Sequence, residues 1–595
     1  MKEALRGLIN ILKNHYWIII LAFLLTILIF APLLAFPGVI GNKYQGININ
    51  HFGSDAHFYL SRAKEVLDGH ALGSPMLREG KNEADMYLGY SDYILLAPIK
   101  LFGLAEKVNV VILYNIYNFI GVFFVIILIY LLVLQLSGNK LLSMAAALFV
   151  IGGHSVIFYK TLFYHDFNLY ARVIFPFISS LILFSYLNLL VKSFKSDELR
   201  RKIFAAMAFG LMFYIYFFAW SFTLALNAAL YLIFIFKKDF TSARKVLFIG
   251  FVGLIIGSYN LIRLFSSVSS EIGEQLLYFN QLAYGHGLIF NKILSIALVL
   301  FFIFLYKCKV DKNTPLIIAI MLSGWISLNQ QIITGRMLEY GHYYWYFIIP
   351  LSIIIIFYMI WQLISNKIIK KYFFIFIIVF VFLNTVVGQY KSFPKTLAIK
   401  EYEQNFRPII DSLNSDKAPG VVLAADETDE YLFTIYTSHD LFWHGAASFN
   451  RVPIQRFEDA LFVNLYLNKE ARNDFKGYLI RIGGNKAEWS YYQRLYRNLE
   501  GFWSGLTYYE YNDRIKKDDQ ELSRNRPAVI DKLYKDYSEM VLKDNGPYKL
   551  LEKYGVNYIV WDKNEHPEWD LSFFGDKIKE IVSINNIYLY QIFNN

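Results

Sequence analysis

The sequence predicts a polytopic α-helical membrane protein carrying an exported α/β domain, on three observations. Hydrophobic residues make up 56% of the chain, and the mean hydropathy is +0.36. Apolar runs recur from residue 15 to residue 389, each at or near the length needed to cross a hydrocarbon core of about 30 Å. Beyond about residue 390 the runs shorten to strand length, and Asp, Lys, Arg and Asn become frequent. A single cysteine, Cys308, excludes an internal disulfide and any cysteine-based metal cluster. The net charge of +10 would point to nucleic acid only if the basic residues clustered on a soluble face. They lie largely in short loops between apolar runs, so no nucleic-acid partner is expected and the pattern is one of membrane orientation.

The first run, about 15 to 36, follows Lys2, Arg6 and Lys13 and has no small-residue cleavage site, so it reads as an anchor helix whose start faces the cytoplasm. Further spans are expected near 108–136, 141–159, 169–191, 203–219, 221–236, 246–265, 288–306, 314–330, 344–364 and 372–389, eleven in all. Charge supports the count. Loops expected inside carry Lys140, then Lys192 to Lys202, Lys237 to Lys245, Lys307 to Lys312 and Lys367 to Lys371, whereas the short outside loops carry only Lys160 and Arg336. Merging 203–219 with 221–236 would reverse every later loop. The expectation is a multi-pass protein of the plasma (inner) membrane with a cytoplasmic N-terminus. Residues 1–390 would form the membrane domain, with an outer loop at 37–107, and residues 391–595 a soluble extracytoplasmic domain.

In that tail, 421–425, 558–561 and 587–592 read as strands, and helical patterns lie near 399–414, 453–468, 487–500 and 527–553, which makes an α/β domain. No Walker loop, dinucleotide fingerprint or zinc-protease helix occurs.

The candidate chemistry begins in the stretch from Asn50 to Arg62. Gly53 and Ser54 signal a helix start and Gly69 a helix end, so residues 55 to 68 read as a short helix with Asp55, Tyr59 and Arg62 on one face. The plainer alternative makes Asp55 a first-turn carboxylate favoured by the helix dipole. His57 stands beside it. The second outer loop holds His165, Asp166 and Asn168, where Asp166 is either a partner of Asp55 across the bundle mouth or the N-cap of the next span. Two such carboxylates can activate a hydroxyl and hold a divalent cation, Mg or Mn, whose hard oxygen preference suits Asp55 and Asp166. Glu271 and Glu274 read as solvated loop residues. The stretch from Asn329 to Tyr343 is a polar island between two apolar helices. There Arg336 offers a planar cation and His342 a second donor for a phosphate, the alternative being a simple Arg336–Glu339 pair.

With these motifs in order and on one side, the sequence resembles the GT-C superfamily of membrane glycosyltransferases, over most of the chain. The resemblance rests on Gly53-Ser54-Asp55-Ala56-His57 after the first span and on Tyr164-His165-Asp166-Phe167-Asn168, similar to the family's Tyr-Tyr-Asp-x-Asp. It rests also on Gly335-Arg336 before a late span, and on a tail ending in Tyr588-Leu589-Tyr590-Gln591-Ile592. The Trp-Trp-Asp-Tyr-Gly signature of protein oligosaccharyltransferases is absent, and Trp443-His444-Gly445 does not replace it. The resemblance implies an inverting transfer of a sugar from a polyprenyl-phosphate donor, a membrane lipid, to an exported glycan, lipid or protein. Asp55 would be general base, Asp166 with His165 or Asn168 would position the donor or a divalent cation, and Arg336 and His342 would neutralise the leaving phosphate. A lipid or polysaccharide transporter and a membrane assembly scaffold are the alternatives.

Overall fold

The structure is a computed structural model that describes residues 2–50, 55–83, 89–163, 168–308, 310–416, 418–424, 430–484, 491–543 and 546–593, with side chains from residue 13 onward except that of Tyr491. Among the described residues eight helices are long and apolar enough to cross a membrane: Lys13–Lys43, Val110–Ser137, Phe177–Phe194, Phe217–Phe236, Phe240–Val268, Thr314–Thr334, Gly341–Leu363 and Lys367–Ser415. The chain is a multi-pass membrane protein by that measure. Three shorter helices, Lys140–Gly152, Leu199–Ile215 and Lys292–Lys307, stand where three more of the eleven spans were expected. Each has a visible stop or start. The first ends at the Gly152-Gly153 pair, the second at the extended Tyr216, and the third begins only after Asn291 caps the Leu294 amide.

A second departure bears directly on the site. Residues 169–191 read as one span, yet the helix starts at Phe177, directly after Pro176. Leu169–Ala171 form a tight turn and Arg172 is extended, with φ −63° and ψ 146°. Proline disfavours helical geometry in the residue before it, so the run of apolar side chains here is not a helical run.

Small residues set one close helix contact. Gly253 and Gly257 of Phe240–Val268 face Phe209 and Phe213 of Leu199–Ile215, and a Cβ would fall 2.3 and 2.4 Å from those rings. The two rings lie directly on the facing helix because glycine presents only hydrogen there, as is common where helices meet in lipid.

The loop after the first span contains the expected helix, Ala56–Asp68, closed by Gly69 at φ 101°. Asp55 itself is the residue before the first turn, without a side-chain cap bond, and Ser54 lies outside the described residues. Arg62 does not serve Asp55's face. Its Nε donates to Asp92 (3.2 Å), its Nη2 donates to the Gly89 carbonyl (3.0 Å), and Tyr114 of the span Val110–Ser137 donates to the same Asp92 at 2.8 Å. All three side chains are buried, so this network fixes the loop to the bundle.

Among the described residues seven strands form two sheets. Strands β1 (Leu282–Tyr284) and β2 (Arg336–Leu338) make a small antiparallel pair. Strands β3 (Val421–Ala424), β4 (Asp440–Leu441), β5 (Val556–Asp562), β6 (Ile578–Ile584) and β7 (Ile587–Ile592) form the tail's sheet in the order β4-β3-β5-β7-β6. The expected strands are its three central ones. The expected helix over 527–553 divides into Gln520–Tyr537 and Tyr548–Lys553, and the helix Lys367–Glu403 runs unbroken across residue 390.

The tail grips the first loop. The Leu441 amide donates to the Met76 carbonyl (2.7 Å), Arg456 donates to Glu79 (2.5 Å), and Lys81 donates to Glu65 while bridging to Asp440, both at 2.6 Å. Ser61, on the helix that begins after Asp55, shares a hydrogen bond with Thr434 (2.7 Å). The helix presenting Asp55 is thereby held by the bundle on one side and the tail on the other.

Candidate functional site

Arg172 is the centre of the site. Its backbone is fixed by two asparagines: Asn50 donates to the Ala171 carbonyl (2.7 Å), and Asn118 donates to the carbonyls of Ala171 and Arg172 (2.6 and 3.0 Å). From that fixed segment the buried guanidinium reaches two partners. Nη2 donates to the Asp55 carboxylate, and Nη1 donates to the Tyr346 hydroxyl at 2.5 Å. Asp55 is paired through one carboxylate oxygen and keeps 44% of its side chain exposed.

Tyr346 leads to the second carboxylate. Its ring stacks on His342, centroids 5.4 Å apart and planes 10° from parallel. His342 lies 3.2 Å from Glu339 through Nε2 and 2.8 Å from the Tyr216 hydroxyl through Nδ1. Tyr216 occupies the extended break between two helices, which is why its hydroxyl can turn into this cluster. Burial, and next the charge of Asp55, push the Glu339 carboxyl up to about 7, while the Arg172 cation opposes the rise. The result is two carboxylates of unlike character around one arginine: Asp55 paired with the cation, and Glu339 poised to exchange a proton near neutrality.

Of the residues singled out from sequence, Asp55 and His342 come together in this cluster. Asp166 and His165 lie outside the described residues. Asn168 accepts the Tyr170 amide and donates to the Ile151 carbonyl, both at 2.9 Å, so it builds the turn that leads to Arg172. His57 stacks on Tyr431 of the tail at 4.6 Å and lies 5.2 Å from His444. Arg336 begins β2, exposed, opposite Tyr284. It forms no ion pair with Glu339, which pairs with His342 instead. Glu271 and Glu274 are exposed, as solvated loop residues should be.

Arg172, Glu339, Tyr346 and Tyr216 are the additions. Arg172 was read as part of a span, so Arg336 stood as the only arginine of the short outer loops; Pro176, four residues on, was the signal that the helix starts later. Among the described residues no group of three or more His, Cys, Asp or Glu is placed to hold a metal ion, and Asp55 is engaged by Arg172. The described residues therefore do not make up a divalent-cation site.

No family model matches the chain, and no curated protein matches it significantly. Solved structures do resemble it. Archaeal oligosaccharyltransferase AglB from Archaeoglobus fulgidus, in complex with an inhibitory peptide and a dolichol-phosphate, is 10% identical, with a TM-score of 0.43 over 93% of this chain and 70% of that one. The Archaeoglobus fulgidus oligosaccharyltransferase in complex with Zn and sulfate is 10% identical, with a TM-score of 0.45 over 96% of this chain and 72% of that one. The same enzyme tethered to an acceptor peptide containing the NVT sequon gives 10% identity and 0.43, over 93% and 70%. At these values the likeness is distant.

Proposed function

We propose that the chain is a GT-C-type glycosyltransferase that moves a sugar from a polyprenyl-phosphate-linked donor to an exported acceptor at the outer mouth of its helical bundle. The observation that carries this reading is the pair of carboxylates, Asp55 and Glu339, arranged around the buried Arg172 at the tail-side end of an apolar bundle. A lipid-linked donor can present its phosphate at that depth while its chain stays in the membrane.

In the reaction, the acceptor's nucleophilic atom forms a bond to the anomeric carbon of the sugar. Its proton passes to the Asp55 carboxylate, which Arg172 holds through its Nη2. The bond from the anomeric carbon to the phosphate oxygen breaks, and its electron pair leaves with the polyprenyl phosphate, giving inversion. Negative charge grows on that phosphate, where fixed cations lower the barrier most. Arg336, exposed at the rim and in no ion pair among the described residues, is suited to that task. His342 is a positioning residue, held between Glu339 and Tyr216. Asp166 and His165 keep their expected role in holding the donor. No step is routed through a cation, and chelation of the purified protein tests whether Asp166 completes a metal site. The basic loops support placing the tail outside the plasma membrane, which reporter fusions to the tail check.

The direct test is incubation of the purified protein with a panel of polyprenyl-phosphate sugars and measurement of sugar released or transferred. One donor should be consumed. If none is, this reading falls.

Glu339 gives the pH dependence a sign. With its pKa near 7, a rate inflection is expected near neutral pH and should vanish in Glu339→Gln. Asp55→Asn removes a repelling charge, so residual activity should show that inflection at lower pH. Arg172→Gln removes an attracting charge and should move it higher. A profile unmoved by either change would detach Glu339 from the reaction.

For Arg336, lysine keeps the charge and loses the planar fork. Arg336→Lys should weaken donor binding or slow turnover about tenfold, one missing charge-assisted bond's worth, with little change in melting temperature. Because Glu339 does not pair with Arg336, Glu339→Gln should leave donor affinity unaltered. Equal harm to donor binding from both variants would remove Arg336 from the site.

A further inference from the structure

A second cation sits on the flank of the bundle. Arg263 belongs to the span Phe240–Val268, five residues before its end, or about 7 Å by helical rise. That end leads to the tail: Gln275 donates to the Val452 carbonyl, and Phe279 stacks on Phe457 at 4.4 Å. Arg263 is therefore near headgroup depth on the tail side. Tyr259, Ile262 and Phe265 around it on the same helix are more than 60% exposed, the mark of a lipid-facing surface.

The guanidinium is held but not neutralised. Nε donates to Asn260 (3.0 Å), whose own amide is fixed by the Phe213 carbonyl. The Tyr90 ring lies across it, 4.8 Å from the guanidinium carbon. Nη1 and Nη2 are shielded from solvent and make no hydrogen bond, and no carboxylate pairs with Arg263 among the described residues. An arginine that merely snorkelled would put those nitrogens in water. Ionisable groups at membrane depth are costly, and an unneutralised one near a lipid-facing surface calls for an anion.

We propose that Arg263, with the Tyr90 and Tyr259 hydroxyls, binds the phosphate of a membrane lipid on the bundle's flank. The two Nη atoms form the planar fork that phosphate accepts bidentately, and the tyrosine hydroxyls supply further donors once the exposed Tyr259 ring swings aside. The lipid's chains would run toward the bilayer centre along Ile262, Ile255 and Phe251. The site borders the proposed reaction centre: the Tyr90 amide donates to the Tyr214 carbonyl, and Tyr216, two residues on, reaches His342. It does not depend on the transfer reaction and is tested without it.

The test is lipid retention by the full-length protein in nanodiscs of phosphatidylcholine with phosphatidylglycerol or polyprenyl phosphate added, read by native mass spectrometry. The wild-type protein should retain one phosphate lipid beyond its phosphatidylcholine complement, and Arg263→Gln should bind it at least about tenfold more weakly, as loss of a charge-assisted bidentate contact requires. Arg263→Lys, which keeps the charge at this depth should the glutamine variant not fold, should fall between them. Whichever phosphate lipid shows the loss is the occupant. Equal retention in all three proteins overturns the proposal, as does a wild type with no excess of either lipid. Inorganic phosphate that raises the melting temperature of wild type and displaces the lipid would also overturn it, by showing a small-anion site.

Discussion

Asp55→Asn is expected to leave the protein folded and to lower turnover by about 10²- to 10⁴-fold, the usual loss when a general base is removed. Asparagine has the size of aspartate, and its carbonyl oxygen can still accept from Arg172. The carboxylate is also 44% exposed, so the fold gives up little by losing its charge. The chemistry gives up the group that takes the acceptor's proton. Turnover assays beside melting curves separate the two effects. Near-normal turnover in a folded variant would return Asp55 to the role of a helix-start carboxylate.

Asp92→Ala should act in the opposite way, through the fold. Asp92 is fully buried and answers both Arg62 and Tyr114, and Arg62 is 2% exposed. Removing one partner of a buried ion pair typically costs about 3–5 kcal/mol. The helix carrying Asp55 is anchored by this network, so activity should fall with the melting temperature. Replacing both charges, as in Arg62→Met with Asp92→Leu, should recover part of the stability, since apolar side chains of similar volume often match a buried pair. A melting temperature untouched by Asp92→Ala would show that the loop is held by its other contacts, the tail's grip on Met76, Glu79 and Lys81 among them.

Much of the architecture is legible in the chain because it is local. A helix from 56 to 68 follows from the start signal at Gly53 and Ser54 and the stop at Gly69, and the strands at 421, 556 and 587 from their apolar runs. The sheet's edges are not so legible: β4 has two residues, and β6 carries Lys579 and Glu580 on an exposed border. The break at Gly152-Gly153 was missed, and the one at Tyr216 was placed about four residues late, at 219–221. The site was legible only in part. Asp55 and His342 stand out as polar groups beside apolar runs, but Arg172 lies 117 residues from Asp55 and 174 from Tyr346, a pairing no periodicity encodes. Its apolar surroundings made it look like the start of a span. Glu339 was weighed only against Arg336, its neighbour in sequence, whereas folding gives it His342 and the field of Asp55.

The central claim is that Asp55 and Arg172 act as one unit in sugar transfer, and a double-mutant cycle on the donor-consumption assay tests it most directly. Rates are measured for wild type, Asp55→Asn, Arg172→Gln and the double variant, each confirmed as folded. Groups that act together lose their function together, so the double variant should be no slower than the worse single one. Multiplying losses, or a wild-type rate in Arg172→Gln, would contradict the account.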